Sequence, residues 1–313
     1  MGQSVVAAVV VFYHPNPVVL SRLLTSLSGQ VDKVVAVDNT PELQTPPVAF
    51  FERFPYPVSY IHLGSNKGIA EAQNIGIQEA INTGSTHVLL LDQDSMLLPD
   101  MVTKLIAAEA GLLKMGVNVA AVGPQFIDEK TGTASRAIHR GFLIVRKIRL
   151  DRSSSEPVET DNLIASGSII RTSAMRSVGM MRDDLFIEFV DTEWCLRAQS
   201  LGHKSYCVPS AVMMHSTGDA ALRICGKEIY VHNNLRRYYK LRNAIYLMGL
   251  PSMGWRWRSY TLRWIPYYFL VSLIISPHKF RSARLFLKAL WDGFLGRLGP
   301  APSALGELNY EQL

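Results

Sequence analysis

The sequence predicts an α/β protein, in which an open, mostly parallel sheet has helices on its faces and is followed by a helical, basic C-terminal region. Over the first 125 residues, short β-branched runs alternate with segments whose apolar residues recur at helical spacing, and this alternation is typical of such a sheet. From about residue 222 the pattern is helical and rich in basic and aromatic residues. We therefore expect two parts, residues 1–221 and residues 222–313.

The two periodicities also predict the individual elements. The expected strands of the first half are Val5–Phe12, Lys33–Val37, Val58–Leu63, His87–Leu91 and Val117–Val122. The expected helices between them are Pro17–Ser28, Ile69–Thr83 and Pro99–Met115. Residues 126–160 predict a mobile loop or a short hairpin. A broken strand, a helix and two adjoining strands are expected after it, at Leu163–Ile170, Asp191–Leu201, Ser205–Val208 and Ala211–His215.

Composition excludes several classes of protein. Hydrophobic residues make up 48% of the chain, which suits a large buried core rather than disorder. The three cysteines, Cys195, Cys207 and Cys225, have no paired spacing, which argues against a disulfide framework or a structural zinc site and favours a reducing compartment. Met1–Phe12 has neither a basic start nor a small-residue cleavage site, so we expect no secretory signal.

Positive charge is concentrated near the C-terminal end, where residues 227–300 hold 13 Lys and Arg against two acids. Such a region needs an anionic partner. Its aromatic residues adjoin the apolar stretch Ile265–Ser276, which is too short for a bilayer span of about 20 residues. We favour docking on an anionic membrane surface, with a core helix as the alternative. Nucleic acid is disfavoured as a partner, because the apolar run would then have no role.

Asp92-Gln93-Asp94 follows an apolar strand and is the sharpest local signal. Alternate residues of an extended segment point the same way, so both carboxylates can face one cation. Mg²⁺ and Mn²⁺ prefer such oxygen ligands together with phosphate oxygens. Acids are also common in plain surface turns, and the position after a buried strand is what favours a metal site. Asp38 likewise follows a strand, and open α/β sheets bind ligands at that edge.

Other phosphate-binding loops are missing from the sequence. No glycine-rich dinucleotide loop follows the first strand and no Walker loop occurs, which disfavours nicotinamide and ATP chemistry. A diphosphate held mainly by a metal is favoured instead. Asn66-Lys67-Gly68 leads into a helix, where Gly68 permits close approach of the backbone and the free N–H groups can bind an anion. A simple helix-entry turn is the alternative.

Two later residues are candidates for chemistry. Asp191 opens a predicted helix in which Glu193 and Arg197 are spaced to pair with each other, so Asp191 is the freer carboxylate. An acid at a helix start is nevertheless often a cap. His215 ends an apolar strand, a position where a histidine is more often structural than a ligand.

Seven stretches between residues 8 and 243 together resemble the inverting family 2 glycosyltransferases of the GT-A fold, and among them the bacterial rhamnosyltransferases of rhamnolipid and O-antigen synthesis. These stretches are VVVFYHP, VAVDNT, GSNKGIAEAQNIGI, LLLDQDS, LIASGSIIR, LFIEFVDTEWCLRAQSLG and LRRYYKLRN. They span most of the chain, and the set is much more specific than any one member. The family more often has a third acid or another residue at Gln93, and the D-Q-D form favours the rhamnosyl branch.

The resemblance implies a role for each matching residue. It implies that Asp38 contacts the nucleotide, that Asn66 and Gly68 form the donor loop, and that Gln93 lines the donor pocket. It implies a site for Mg²⁺ or Mn²⁺ at Asp92, Asp94 and His215, with Asp191 as the catalytic base. Contacts with the diphosphate or the acceptor are implied for Arg237 and Arg242.

The reaction implied by the resemblance is a single displacement that moves L-rhamnose from dTDP-L-rhamnose to a glycolipid or lipid-linked saccharide. It would take place in the cytoplasm, at the cytoplasmic face of the inner membrane. Two alternatives stay open. The same fold could use another donor, such as a galactofuranosyl or other UDP-sugar. The chain could also be a non-catalytic, membrane-associated binding protein, which the intact acid set disfavours.

Overall fold

The computed structural model describes residues 4–42, 48–141, 145–215, 220–224, 227–231, 234–275 and 278–302. The strands in these ranges are β1 (Val6–Phe12), β2 (Lys33–Asp38), β3 (Val58–His62), β4 (His87–Asp92), β5 (Ser95–Leu97), β6 (Val119–Asp128), β7 (Arg136–Arg140), β8 (Val145–Arg149), β9 (Val158–Thr160), β10 (Ile169–Arg171), β11 (Lys204–His215), β12 (Ala220–Ile224) and β13 (Lys227–Val231). The α-helices are α1 (Pro17–Ser26), α2 (Ile69–Asn82), α3 (Met101–Lys114), α4 (Thr172–Val178), α5 (Val190–Ser200), α6 (Asn234–Met248), α7 (Gly254–Ile275) and α8 (Lys279–Phe294). Short 3₁₀ helices cover Val48–Phe50, Asp183–Leu185 and Pro251–Met253.

Nine of the described strands form one sheet, in the order β3-β2-β1-β4-β10-β6-β11-β5, with β9 also paired to β11. The first four strands of this order are parallel, because each is joined to the next by a crossover along the sheet. β10 is antiparallel to both of its neighbours, and β5 and β9 are antiparallel to β11. The predicted open, mostly parallel α/β sheet is confirmed.

The two faces of the sheet bury two separate cores. Val9 and Val11 of β1 contribute to the core that also takes buried residues from α2, α4 and α5. Ala8 and Val10 point the other way, into the core that includes α1 and α3. Because both faces are covered, all seven residues of β1 are buried, which explains its uninterrupted apolar sequence.

Several predicted boundaries in the middle of the chain change. The hairpin alternative for residues 126–160 is the correct one, since β7 and β8 pair antiparallel from Arg136 opposite Arg149 to Arg140 opposite Val145. The two strands expected before His215 are one strand, β11, with a register shift between Val208 and Val212. The broken strand shortens to β10, because the Ser168 N–H donates to the Ala165 carbonyl at 2.9 Å in a turn.

The prediction that the chain becomes helical near residue 222 is wrong. β12 and β13 form an antiparallel hairpin, from Ala220 opposite Val231 to Ile224 opposite Lys227, and the helix begins at Asn234. The β-branched residues of this segment favour strands, and the surrounding basic charge concealed that signal. Helices α6, α7 and α8 then share a third core around Tyr238, Tyr239 and Phe286.

The helices of the described ranges do not combine the length and the apolar character needed to cross a membrane. Cys195 and Cys207 are buried free thiols. Cys225 lies outside the described residues.

Candidate active site

The predicted carboxylates meet at one edge of the sheet because of strand register. Phe12 at the end of β1 pairs with Asp38 of β2, and Val11 pairs with Asp92 of β4. The two acids therefore lie on the strands that flank β1, at nearly the same level. Parallel strands bring their carboxyl ends to one edge, and the crevice there is where such sheets bind ligands.

Asp92, Asp94 and His215 form a compact group at this edge. One ligand atom from each lies within 4.8 Å of the others, and all three side chains are partly exposed. β5 pairs antiparallel with β11 so that Ser95 stands opposite His215. The Ser95 hydroxyl is 3.1 Å from His215 Nδ1, and Asp94 Oδ1 is 3.5 Å from the same nitrogen. Two carboxylates and one imidazole at this spacing are a donor set that Mg²⁺ or Mn²⁺ can use.

Electrostatics also favour a cation here. Burial raises the pKa of Asp92, and the nearby negative charge of Asp94 adds to that rise. Burial likewise raises the pKa of Asp94, while His215 opposes the effect at both acids. Two adjacent carboxylates in a partly desolvated cleft repel each other. A divalent ion would remove that repulsion, so the residues present fit a metal.

The donor loop at residues 66–68 is held by Asn39, a residue that the sequence analysis did not single out. The Asn39 side-chain Nδ2 donates to Asn66 Oδ1 at 3.1 Å, and Asn39 Oδ1 accepts the Lys67 N–H at 2.8 Å. The Gly68 N–H donates to Asn66 Oδ1 at 3.0 Å. These bonds fix the loop just before α2 and leave Asn66 exposed. The position of Asn39 directly after Asp38 at a strand end was the available signal.

Asp38 and Gln93 reach the predicted edge but bond to the protein. Asp38 is 0% exposed, and its carboxylate accepts hydrogen bonds from the Thr40 N–H and the Tyr60 hydroxyl, both at 2.9 Å. Gln93 Oε1 accepts the Tyr13 N–H at 2.8 Å, which ties the Asp92–Asp94 turn to the end of β1. Asp38 is therefore held within the protein at this edge, and Gln93 links two of the loops there.

Asp191 lies in the first turn of α5 and remains partly exposed. Burial raises the pKa of Asp191 to about 6, with smaller contributions from the negative charges of Glu188 and Asp92 and an opposing effect of the hydrogen bonds from Thr192. Asp191 therefore lies close enough to Asp92 to be affected by its charge. Its neighbour Glu193 pairs with Arg197 at 2.9 Å, as predicted, so Asp191 is free of any ion pair with the described residues. A carboxylate with a pKa of about 6 is well matched to a general base near neutral pH.

The segment before Asp191 has an unusual backbone. Phe186, Glu188 and Phe189 all have positive φ, at 67°, 67° and 64°. Non-glycine residues adopt this conformation only where the surrounding structure enforces it, and such residues concentrate at functional sites. We call residues 185–189 the base loop.

The C-terminal region holds the base loop in this conformation. The side-chain amide of Asn243, which is 0% exposed, donates to the carbonyl groups of Leu185, Ile187 and Glu188 at 3.1, 2.7 and 3.0 Å. Arg242 is 1% exposed and donates to the Leu185 carbonyl at 3.0 Å and the Gly299 carbonyl at 2.6 Å. The predicted contact of Arg242 with the diphosphate or acceptor is therefore corrected, because its guanidinium is buried and used within the protein.

The neighbouring arginines of α6 point in different directions. Arg236 pairs with Glu188 of the base loop at 2.7 Å, and its positive charge acts on Asp92. Arg237, which was predicted to contact the ligand, instead lines a small cavity between α6, α7 and α8 beside Tyr268. Successive helical residues are rotated by about 100°, so only one of the pair can face the cleft. Arg236 is the one that does.

Comparison with known proteins identifies the family to which the chain belongs. The model of Glycosyl transferase family 2 matches residues 8–179. The chain belongs to this glycosyltransferase family. It is 35% identical over 247 residues to the dTDP-rhamnosyl transferase RfbF of Shigella flexneri, covering 78% of this chain and 80% of that protein. The matched range of the family model contains Asp38, Asn66, Gly68, Asp92 and Asp94 but ends before Asp191.

Solved glycosyltransferase structures share the fold. TarS of S. aureus, residues 1–349, superposes with a TM-score of 0.57 at 13% identity, covering 94% of this chain and 82% of that one. The same protein in complex with UDP-GlcNAc gives a TM-score of 0.56 at 14% identity, covering 92% and 80%. GalNAc-T7 with UDP, GalNAc and Mn²⁺ gives a TM-score of 0.58 at 14% identity. The match covers 83% of this chain but only 54% of the GalNAc-T7 chain. The sheet is thus that of the GT-A glycosyltransferases, as predicted.

Proposed function

We propose that this enzyme transfers L-rhamnose from dTDP-L-rhamnose to a glycolipid or lipid-linked saccharide, with inversion at the anomeric carbon. One observation carries the proposal: Asp191, with a pKa of about 6, lies near enough to the Asp92–Asp94–His215 group for the charge of Asp92 to act on it. A base and a diphosphate site must be close for a single displacement. The choice of donor is supported by the 35% identity to the dTDP-rhamnosyl transferase RfbF.

The proposed roles follow from charge and exposure. Asp191 accepts the proton of the acceptor hydroxyl. The hydroxyl oxygen forms the new bond to the anomeric carbon, while the bond from that carbon to the diphosphate breaks. Asp92, Asp94 and His215 would hold the metal, which neutralises charge on the departing nucleoside diphosphate when it is bound. Arg236, paired with Glu188, adds positive charge on the same side. Asn66 and Gly68 bind the donor at the N-terminus of α2.

Donor binding tests this proposal by calorimetry with dTDP-L-rhamnose, with and without Mg²⁺. We expect metal-dependent binding by the wild type, and Asp94→Asn should weaken it at least tenfold, because a neutral amide is a poorer ligand for a hard cation. Asp100→Asn is the matched control: Asp100 is exposed, its side chain makes no capping hydrogen bond to α3, and asparagine tolerates its positive φ of 61°. That variant should bind like the wild type.

Other outcomes of the same titration separate the alternatives. Preference for a UDP-sugar would keep the fold and the mechanism but contradict the rhamnosyl donor. Absence of binding to every nucleotide-sugar would support a non-catalytic binding protein. Metal-independent binding would contradict the assigned roles of Asp92, Asp94 and His215.

The acceptor is proposed to lie at a membrane because α7 and α8 present a second, uncovered apolar surface. On α8, Ser282, Phe286, Ala289 and Gly293 are buried. At intervening positions Phe280, Leu287, Trp291 and Phe294 are 78%, 63%, 58% and 79% exposed. Together with the exposed Trp255, Leu262, Leu270 and Ile274 of α7, these residues form what we call the apolar C-terminal face.

Basic residues surround this face. Arg256, Arg258, Arg263, Lys279 and Arg284 are all exposed on the same two helices. Aromatic side chains between exposed cations suit the headgroup region of an anionic bilayer. The opposite side of α7 belongs to the protein core, as the core-helix alternative expected. There Phe269 packs on Phe286 with ring centroids 4.4 Å apart. We therefore propose that the enzyme docks on the cytoplasmic face of the inner membrane through the apolar C-terminal face.

Cosedimentation with phosphatidylglycerol vesicles tests this docking. The wild type should bind, and the double variant Phe280→Ser, Phe294→Ser should bind about tenfold or more weakly, since each buried Phe is worth roughly 1.5–3 kcal/mol. Met115→Ser is the matched control, because Met115 is 70% exposed at the C-cap of α3. Failure of the wild type to sediment with these vesicles would contradict the proposal. Salt-dependent binding to oligonucleotides instead would favour a nucleic acid partner.

A further inference from the structure

Arg140, the last residue of β7, has a guanidinium without a direct hydrogen-bond or ion-pair partner among the described residues, although the charge of Asp161 lies near it. The Asp161 carboxylate beside it accepts the Arg140 backbone N–H and lies 3.5 Å from His139 Nδ1. Across the described ranges, no residue forms a salt bridge with the Arg140 guanidinium or accepts a hydrogen bond from it, and Nη1 is buried without a partner. Burial lowers the pKa of Arg140, and the nearby charges of Asp161 and Asp191 offset that effect only in part.

Trp257 of α7 places a second unpaired donor next to Arg140. The side chain is 2% exposed, and its Nε1 makes no hydrogen bond. The Arg140 guanidinium carbon lies 5.4 Å from the centroid of the indole ring, within the range of a cation–π contact. Buried N–H groups without an acceptor are rare in folded proteins. Two such donors on neighbouring side chains, Arg140 Nη1 and Trp257 Nε1, indicate that an anion binds there.

Trp257 adjoins the base loop. The Trp257 and Phe189 rings meet edge to face with centroids 5.2 Å apart, and Phe189 stands two residues before Asp191. The charges of Asp191 and Arg140 both act on the thiol of Cys195, which lies one helical turn after Asp191. A molecule held by Arg140 and Trp257 can therefore present a neighbouring hydroxyl to Asp191.

We propose that Arg140 and Trp257 form a subsite for an oxyanion of the acceptor, a phosphate or a carboxylate located near the hydroxyl that is glycosylated. This inference rests on the proposed function, because it takes Asp191 as the group that receives the acceptor proton. The planar guanidinium suits either anion through paired hydrogen bonds. The cation–π contact with Trp257 holds the guanidinium in one orientation.

The alternative ligand, the diphosphate of the donor, has other partners. It belongs to the edge formed by Asp92, Asp94 and His215, where Arg236 supplies the nearby positive charge. Arg140 acts instead on Asp191 and Cys195. The helix of Trp257 also carries part of the apolar C-terminal face, so an acceptor with an anionic group between its sugar and its lipid would lie along α7.

The test is calorimetric binding of three probes with one shared tail: geranyl phosphate, geranic acid and geraniol. The full-length protein is first saturated with dTDP and Mg²⁺, which blocks the diphosphate edge. We expect geranyl phosphate to bind about tenfold or more tightly than geraniol, as for a charge-assisted hydrogen bond. Arg140→Gln should abolish this preference. Arg136→Gln, at an exposed arginine of the same strand, should retain it.

A second variant covers the case in which Arg140→Gln does not fold. Trp257→Phe keeps an aromatic ring but removes the N–H, and it should reduce the preference about threefold, by the weight of one neutral hydrogen bond. If geranic acid binds as tightly as geranyl phosphate, the anion of the acceptor can be a carboxylate. If geranic acid binds only as weakly as geraniol, the subsite takes a phosphate. Equal affinity of the wild type for geranyl phosphate and geraniol, or an unchanged preference in Arg140→Gln, would overturn the subsite. Failure to bind dTDP at all would count against the proposed donor instead.

Discussion

Asp191→Asn is expected to lower turnover by roughly 10²–10⁴, the usual contribution of a general base, while leaving the protein at least as stable. Asparagine has nearly the same shape but cannot accept the proton of the acceptor. Burial has raised the pKa of Asp191 from 3.8 to about 6, so ionising it in the folded protein is unfavourable. Above pH 6 the neutral amide avoids that cost, and thermal unfolding should occur at the same or a higher temperature.

The pH dependence of kcat, compared between the wild type and Asp191→Asn, provides a second readout of the role of Asp191. The base must be deprotonated, so kcat of the wild type should rise with pH through about 6, the pKa of Asp191, whereas the residual rate of Asp191→Asn should lack that step. The contribution of Asp191 to stability changes with pH in the direction opposite to kcat. Between the ordinary pKa and the raised one, the folded state binds more protons than the unfolded state, so stability falls as pH rises through this window.

A control variant separates the role of Asp191 from a general loss of negative charge. Asp183→Asn changes an exposed carboxylate in the 3₁₀ helix just before the base loop, and it should keep wild-type turnover. Wild-type turnover by Asp191→Asn would exclude it as the base. A large drop in its melting temperature would show that Asp191 is a structural cap instead.

Gly68→Ala should nearly abolish activity through a steric clash between the donor loop and the base loop. A Cβ at Gly68 would lie 2.6 Å from both Cδ2 and the carbonyl oxygen of Phe186, and the φ of Gly68 is +82°. The same carbonyl accepts the Ile69 N–H at 2.8 Å. Phe186 cannot move without disturbing the strained residues that precede Asp191. We therefore expect higher donor KM and a kcat reduced by about 10² or more, as for a displaced catalytic group.

The matched control for this variant is Gly84→Ala. Gly84 has almost the same φ, +81°, but its Cβ would meet nothing within 4 Å. It should lose about 1 kcal/mol of stability from the unfavourable φ and keep its kinetic constants. If Gly68→Ala and Gly84→Ala behaved alike in steady-state kinetics, the contact with Phe186 would have no part in catalysis.

The edge of the sheet could be predicted from the sequence because strand ends are readable. Asp38 and Asp92 each close an apolar run, and parallel strands place such residues together without further information. The burial of Asp38 could not be foreseen, since it depends on Tyr60 and Thr40 reaching the same carboxylate. Periodicity gives the face of a strand but not which side chains bond to each other there.

The C-terminal half was less predictable for a related reason. Arg236, Arg237 and Arg242 all lie on α6, and only the packing of that helix against the base loop decides which of them meets the cleft. The neighbouring Asn243 ends the LRRYYKLRN stretch of the resemblance, but its three hydrogen bonds to the base loop depend on how α6 packs. Arg140 lay in a segment too irregular to place, and its position beside Trp257 depends on contacts between distant parts of the chain.

The bonds from Asn243 to the base loop bear on how this enzyme can be recombined with its relatives. A chimera joined near residue 221 would keep Asp191 from one parent but take α6 from another, and the strained backbone before Asp191 would lose its matched support. A graft that preserves these bonds must therefore inherit α6 together with the catalytic part, and the core that α6 shares with α7 and α8 is then the packing that has to be matched. Grafting at residues 249–254, after α6, would leave the Asn243 bonds within one parental sequence.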